Sequence, residues 1–192
     1  MIAIIKYNGG NVNSVQNTLN RLNAKSIITD DFEVIKNADK VIFPGVGEAS
    51  STMKLLREKG LDKLIPTLKQ PVLGICLGMQ LMCKNNEEGN TVGMGIFDVN
   101  VKKFPAEKIV PHMGWNIISN IKSSIFSGIK EESDLYFVHS FYCELSENTT
   151  SVCNYILPFS ASLQKDNFYA MQFHPEKSGK IGSQLLNNFL KL

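Results

Sequence analysis

Four apolar runs of strand length recur through the first 76 residues, each separated from the next by a segment with helical patterning. They are IAIIKY (2–7), SIIT (26–29), KVIFPG (40–45) and VLGIC (72–76). Between them lie NSVQNTLNRL, a short polar helix near 31–37, and EASSTMKLLREKG followed by LDKLIPTLK. Runs of Val and Ile that do not alternate with polar residues need cover on both faces, and helices between them supply it. The pattern predicts an α/β fold, a doubly wound and mostly parallel sheet with helices on both sides.

The second half reads differently. GIFDVNVKKF (95–104), DLYFVHSFYCEL (134–145), SVCNYIL (151–157), ASLQ (161–164) and FYAMQFH (168–174) are strand-like and joined by short polar turns. They predict hairpins that add antiparallel strands at the edge of the sheet. A helix over roughly 179–191 closes the chain, with leucines and Phe189 at helical spacing. At 192 residues, with no linker or repeat, the chain is expected to form a single domain over 1–192.

Several classes of function are excluded early. The net charge is only +2, with Lys and Arg interspersed among Asp and Glu, so no basic stripe is present to hold nucleic acid. No segment approaches the ~20 apolar residues of a membrane span. The N-terminal MIAIIKYNGG is too short in its apolar part for a signal peptide, so a cytoplasmic protein without a membrane partner is expected. The four cysteines form no C-x-x-C pair, which argues against disulfides and a structural zinc; no metal and no cofactor are expected. Cys83, Cys143 and Cys153 read as small packing residues.

Cys76 is different. It stands between Gly74 and Gly78, where the strand VLGIC runs into the helical LGMQLMCK. A sharp strand-to-helix turn strains its central residue, and flanking glycines remove the side chains that would collide there. The spacing G-x-C-x-G is that of a nucleophile elbow with cysteine in place of serine. Helix N–H groups and the helix dipole stabilise a thiolate at such a position, and the Leu77 N–H lies where an oxyanion would form. Read alone, the stretch also fits a packing cysteine in a Gly-rich turn.

A thiol nucleophile needs a base, and the chain has three histidines. His112 is expected in the loop PHMGWN and His139 in mid-strand, where no carboxylate follows it closely. His174 ends FYAMQFH and is followed by Pro175 and Glu176. Proline keeps the residue before it extended, and residues two apart in extended chain face the same side. Glu176 can therefore reach back to the imidazole and fix its tautomer. Both Cys76 and His174 end strands, the edge of an open α/β sheet where ligands bind. PGVG (44–47), at the end of KVIF, reads either as a weak phosphate loop or as a source of oxyanion N–H groups.

PGVG, GICLGMQ and HPEK, in this order and spacing, resemble the triad-type class I glutamine amidotransferases, whose fold is flavodoxin-like. The likeness extends over essentially the whole chain. VPHMGWN (110–116) and YFVHSFY (136–142) are similar to the branch that feeds a separate (β/α)8-barrel cyclase subunit in histidine biosynthesis. The resemblance implies glutamine as substrate, Cys76, His174 and Glu176 as a catalytic triad, and the Val46 and Leu77 N–H groups as the oxyanion hole. It implies a substrate pocket formed by Gly45, Gly47, Gln80, Ser140 and Phe141. It also implies a heterodimer with the cyclase, docking through Asn11 in the first loop (8–11), Trp115, Asn116, Tyr136 and Lys177. The competing reading of the lone tryptophan is a core residue. One departure stands out: relatives often carry IDY where this chain has Lys6 in IIKY, which alters charge near the first loop without touching the triad. A glutaminase serving another biosynthesis, a non-catalytic binding protein on the same fold, and a cysteine hydrolase of similar architecture remain as alternatives.

Overall fold

The computed structural model describes residues 1–7 and 12–192, so the first loop and Asn11 lie outside the described residues. The first half alternates as expected: β1 (Ile2–Ile5), α1 (Val12–Arg21), β2 (Ser26–Thr29), α2 (Phe32–Lys36), β3 (Lys40–Gly45), α3 (Ala49–Glu58), α4 (Leu61–Leu64), β4 (Val72–Cys76) and α5 (Leu77–Met82). The second half is mostly strand: β5 (Cys83–Asn86), β6 (Thr91–Val92), β7 (Phe97–Lys103), β8 (His112–Ile117), β9 (Asp134–His139), β10 (Phe141–Cys143), β11 (Thr149–Asn154), β12 (Pro158–Lys165) and β13 (Phe168–Met171), closed by α6 (Gly179–Leu190).

The main sheet has seven strands in the order β11-β12-β13-β4-β3-β1-β2. The run from β13 to β2 is parallel, while β12 pairs antiparallel with both β11 and β13. Its inner strands β1, β3 and β4 are buried on both faces, and the two-residue period sorts their side chains between two apolar clusters. Ala3, Ile5, Val41, Phe43 and Val72 belong to one; Ile2, Ile4, Ile42, Leu73 and Ile75 belong to the other. Removing such a side chain from water contributes about 1.5–3 kcal/mol each, so this sheet holds the fold together.

Four expectations are corrected. The helix expected over 77–84 stops at Met82, because Cys83–Asn86 turns extended and pairs with β6 and β7. The continuous strand expected over 134–145 breaks at Ser140: β9 pairs with β8, while β10 pairs with β7. These hairpins therefore do not all extend the main sheet; they form a four-stranded sheet, β10-β7-β5-β6, and a separate ribbon, β8-β9. PHMGWN is likewise strand rather than loop, with Trp115 opposite Tyr136 and His112 opposite His139.

Candidate active site

The elbow is built by close approach. Cys76 has φ 53° and ψ −112°, in the left-handed region that costs a non-glycine residue about 1–3 kcal/mol. A Cβ on Gly78 would lie 2.0 Å from the Phe43 carbonyl oxygen of β3, and one on Gly74 would meet Met82 Sδ at 2.6 Å. Both glycines thus let α5 begin directly over the sheet. Gly45, opposite Cys76 in the β3–β4 register, packs in the same way, 2.3 Å from the Gly78 nitrogen if it carried a Cβ. It shapes the site by this approach and does not line the cavity.

A cavity of about 340 Å³ opens over Cys76, lined by Val46, Gly47, Leu77, Gln80, Glu88, Pro111, Val138, His139, Ser140, Phe141 and His174. That volume suits a small metabolite. The structure thus gathers around one opening most of the residues expected there, drawn from β3, α5, the β9–β10 junction and the segment after β13.

His174 is held from three sides. Its Nδ1 and the Glu176 Oε1 are 2.8 Å apart, with both side chains almost wholly buried. Its backbone N–H donates to the Tyr136 carbonyl, and its own carbonyl accepts from Ser178 Oγ at 2.7 Å. The same Ser178 oxygen accepts from the Tyr136 N–H, so β9 and the His-Pro-Glu turn form one unit. Burial disfavours the charged imidazole, but Cys76 and Glu176 outweigh it and raise the pKa to about 10. His174 Nε2 itself makes no hydrogen bond, so Cys76 acts as a neighbour and Glu176 is the bonded partner. We therefore attribute the rise chiefly to Glu176.

His112 and His139 form a second, different pair. Their rings meet through Nδ1 of His112 and Nε2 of His139 at 2.9 Å. His139 Nδ1 is 2.7 Å from the Phe141 carbonyl, which can only accept, so the proton sits on that nitrogen. Phe104, Phe137 and Phe159 surround the pair. Burial pushes His112 down to about 4 and His139 to about 3. These rings are neutral structural groups at the cavity's back wall.

Two further polar positions were not foreseen. Glu88 brings a carboxylate to the cavity; its Oε2 accepts from the Ala49 N–H at 2.8 Å, and burial raises its pKa. Gln172 is wholly buried and donates from Nε2 to Cys76 Sγ at 3.7 Å. Neither has a local signal, since both depend on contacts across the chain. Gln80 donates from Nε2 to the Phe141 carbonyl and to Gln172 Oε1, each at 3.0 Å, and its Oε1 accepts from Asn86. Below the PGVG loop, Tyr7 donates to the Pro44 carbonyl at 2.6 Å. Burial raises the Tyr7 pKa well above its usual value, and the Val46 N–H acting on the same hydroxyl opposes this.

Trp115 is 57% exposed and not a core residue. It meets the Tyr136 ring edge-on at 6.0 Å, and Lys177 Nζ lies 5.8 Å from the centre of the same Tyr136 ring. Met113 and Ile117 flank it at two-residue spacing and are also exposed. The Asn116 amide turns the other way, toward His112 Nε2 and the Asn154 carbonyl. Cys83, Cys143 and Cys153 are buried as expected, and Lys6 is exposed. Among the described residues no helix is long and apolar enough to cross a membrane.

Comparison with known proteins establishes the family. The family model for glutamine amidotransferase class-I matches residues 3–192. The chain is 58% identical to the imidazole glycerol phosphate synthase subunit HisH of Bacteroides fragilis (strain YCH46), covering 100% of this chain and 99% of that protein. It is 44% identical to the protein of the same name from Haemophilus influenzae (strain ATCC 51907 / DSM 11121 / KW20 / Rd), over 99% and 96%. Among solved structures, one described as a glutamine amidotransferase superposes with a TM-score of 0.75 at 17% identity, over 100% of this chain and 98% of that one. The structure of PurLQS from Thermotoga maritima gives a TM-score of 0.71 at 15% identity, over 99% and 97%, and both speak to fold alone. The chain belongs to the class-I glutamine amidotransferase family, in the branch of the imidazole glycerol phosphate synthase subunits.

Proposed function

We propose that this chain, as one domain, hydrolyses glutamine at Cys76 and passes the ammonia to a partner cyclase, a (β/α)8 barrel, which makes imidazole glycerol phosphate and AICAR in histidine biosynthesis. The observation that carries the reading is the His174 imidazole. Glu176 holds one of its nitrogens, and the other, buried and unpartnered, belongs to a ring that lines the same cavity as the sulfur.

The chemistry follows from these positions. His174 Nε2 takes the Cys76 thiol proton, the thiolate sulfur attacks the carbon of the side-chain amide, and the oxygen gains negative charge next to the Leu77 N–H. The Val46 N–H, in the loop after β3 that lines the same cavity, is the second donor. His174 Nε2–H protonates the departing nitrogen, so ammonia leaves and a γ-glutamyl thioester remains. The neutral ring then takes a proton from water, hydroxide attack on the thioester releases glutamate and the Cys76 thiolate, and the proton on His174 returns to the sulfur. The Glu88 carboxylate is suited to the substrate's α-ammonium group, with the remaining lone pair of Gln80 Oε1 beside it. Gly47, Ser140 and Phe141 bound the rest of the pocket.

The exposed strip of Met113, Trp115 and Ile117, with Tyr136 and Lys177 beside it, suits docking of the partner in a heterodimer. Ammonia that reached bulk water would be protonated, so delivery is expected inside that complex. A biosynthetic enzyme of this kind belongs in the cytoplasm.

Glutamate release by the purified protein, alone and with its cyclase and nucleotide substrate, tests the proposal. Stimulation by the complex, lost in Cys76→Ala, is the expected result. Cys76-dependent release that ignores the partner would indicate another client, and release independent of Cys76 would overturn the mechanism.

A further inference from the structure

Gln172 occupies a position that the triad leaves unexplained. It is wholly buried, just beyond β13 and two residues before His174, and its carboxamide lies between Cys76 Sγ and Gln80. The orientation of this amide is forced by its neighbours. The Phe141 carbonyl can only accept, so Gln80 must present Nε2 to it. The same Nε2 meets Gln172, whose facing atom must then be Oε1, leaving Gln172 Nε2 toward the sulfur.

The other end of the chain obeys the same logic. The Glu88 backbone N–H can only donate, so Asn86 offers it Oδ1 at 2.8 Å and turns Nδ2 to Gln80 Oε1 at 3.3 Å. Asn86, Gln80 and Gln172 are at most 4% exposed. Three buried amides in series therefore point their donors one way, from the Glu88 N–H to Cys76 Sγ. Hydrogen bonds aligned in this manner polarise one another where the dielectric is low.

We infer that Gln172 is a further functional group of the nucleophile: an uncharged N–H donor that orients Cys76 Sγ and stabilises its thiolate, reinforced by the Asn86–Gln80 amides behind it. In the thiol, the sulfur's own proton is directed to the Val138 carbonyl at 3.8 Å. When that proton leaves, the sulfur no longer donates to the carbonyl, and the Gln172 N–H···S hydrogen bond strengthens with the charge. An amide does this without titrating, so it does not compete with His174 for the proton. The inference rests on Cys76 being the nucleophile.

The test is iodoacetamide alkylation of Cys76 in the full chain, followed by peptide mass spectrometry across pH. Gln172→Glu keeps the acceptor for Gln80 but turns an oxygen toward the sulfur. Alkylation at pH 7 is expected to slow at least about tenfold, with its midpoint about one pH unit or more higher. Gln172→Met removes the donor without adding charge and should shift the profile less, in the same direction. The titratable groups acting on the sulfur, His174 with Glu176 behind it, Tyr7 and Cys143, remain in both variants.

If neither variant folds, the wild type decides: the 15N resonance of the Gln172 side chain should titrate with the alkylation midpoint and lose that response in Cys76→Ala. Unchanged alkylation profiles in folded variants, or a silent Gln172 resonance, overturn the inference. Retained glutamate release in Cys76→Ala would instead overturn the nucleophile assignment beneath it.

Discussion

His174 and His139 border the same cavity and are buried almost equally, at 1% and 6% exposure, yet their rings are driven in opposite directions. Burial pushes both down. His174 has the Cys76 sulfur beside it and a carboxylate 2.8 Å away and rises to about 10, whereas His139 has a backbone carbonyl and a second neutral imidazole and falls to about 3. The partner's charge, rather than depth, decides which ring can hold a proton. One region is suited to proton transfer, and the other forms a rigid wall that fixes Phe141 and, through it, Gln80.

The sharpest way to break this comparison is to exchange the same substitution between the two rings. His174→Gln keeps a donor for Glu176 but removes the acid–base group, and glutamate release should fall about 10²–10⁴-fold. His139→Gln should retain activity within about tenfold. Equal losses would abolish the distinction between the two regions, and a larger loss in His139→Gln would reverse it. Next in size is Glu176→Gln, expected to lower kcat by roughly 10², because the ring keeps its place but loses the negative charge that stabilises its protonated form.

Stability against pH separates the regions from the other direction. His112 and His139 have folded pKa values below the ordinary 6.5, so between 6.5 and about 4 the unfolded chain binds protons that the folded chain refuses. Their region is stable above pH 6.5 and loses about 1.4 kcal/mol per ring for each pH unit below it. His174 is raised, so its contribution is complete below 6.5 and is lost as pH climbs through about 10. Thermal melts should fall on both limbs, with His139→Leu flattening the acid limb and Glu176→Gln the alkaline one. An unchanged acid limb in His139→Leu would show that the back wall does not titrate.

The smallest effect is expected away from both histidines. Trp115→Ala should alter the stability of the isolated chain by no more than about 0.5 kcal/mol, as surface substitutions do. Association with the cyclase should weaken by about 2 kcal/mol, measured by calorimetric titration. Unaltered association would move the docking surface elsewhere.

The features legible in the sequence were those whose causes are local. The elbow was readable because its strain falls on Cys76 and its relief on glycines two residues away. His174 and Glu176 were readable because proline and a two-residue spacing set their relation. Errors arose where a strand's partner decided its limits: Cys83–Asn86 left its helix to join β7, and the β9–β10 segment divided at Ser140 between two sheets. Glu88 and Gln172 were missed because neither carries a local signal: the contacts that define them come from segments 39, 92 and 96 residues away.

By itself, then, the sequence determined the α/β class, the parallel pairing implied by unbroken apolar runs, the strained turn at Cys76 and the pairing of His174 with Glu176. These rest on periodicity and short-range backbone sterics, which act within a few residues. Tertiary structure alone decided which histidine pair stays neutral, which way Asn116 turns, and how Asn86, Gln80 and Gln172 align toward the sulfur. Those outcomes depend on hydrogen bonds between segments brought together by folding, and a buried amide or imidazole takes its direction from whatever fixed donor or acceptor the fold sets against it.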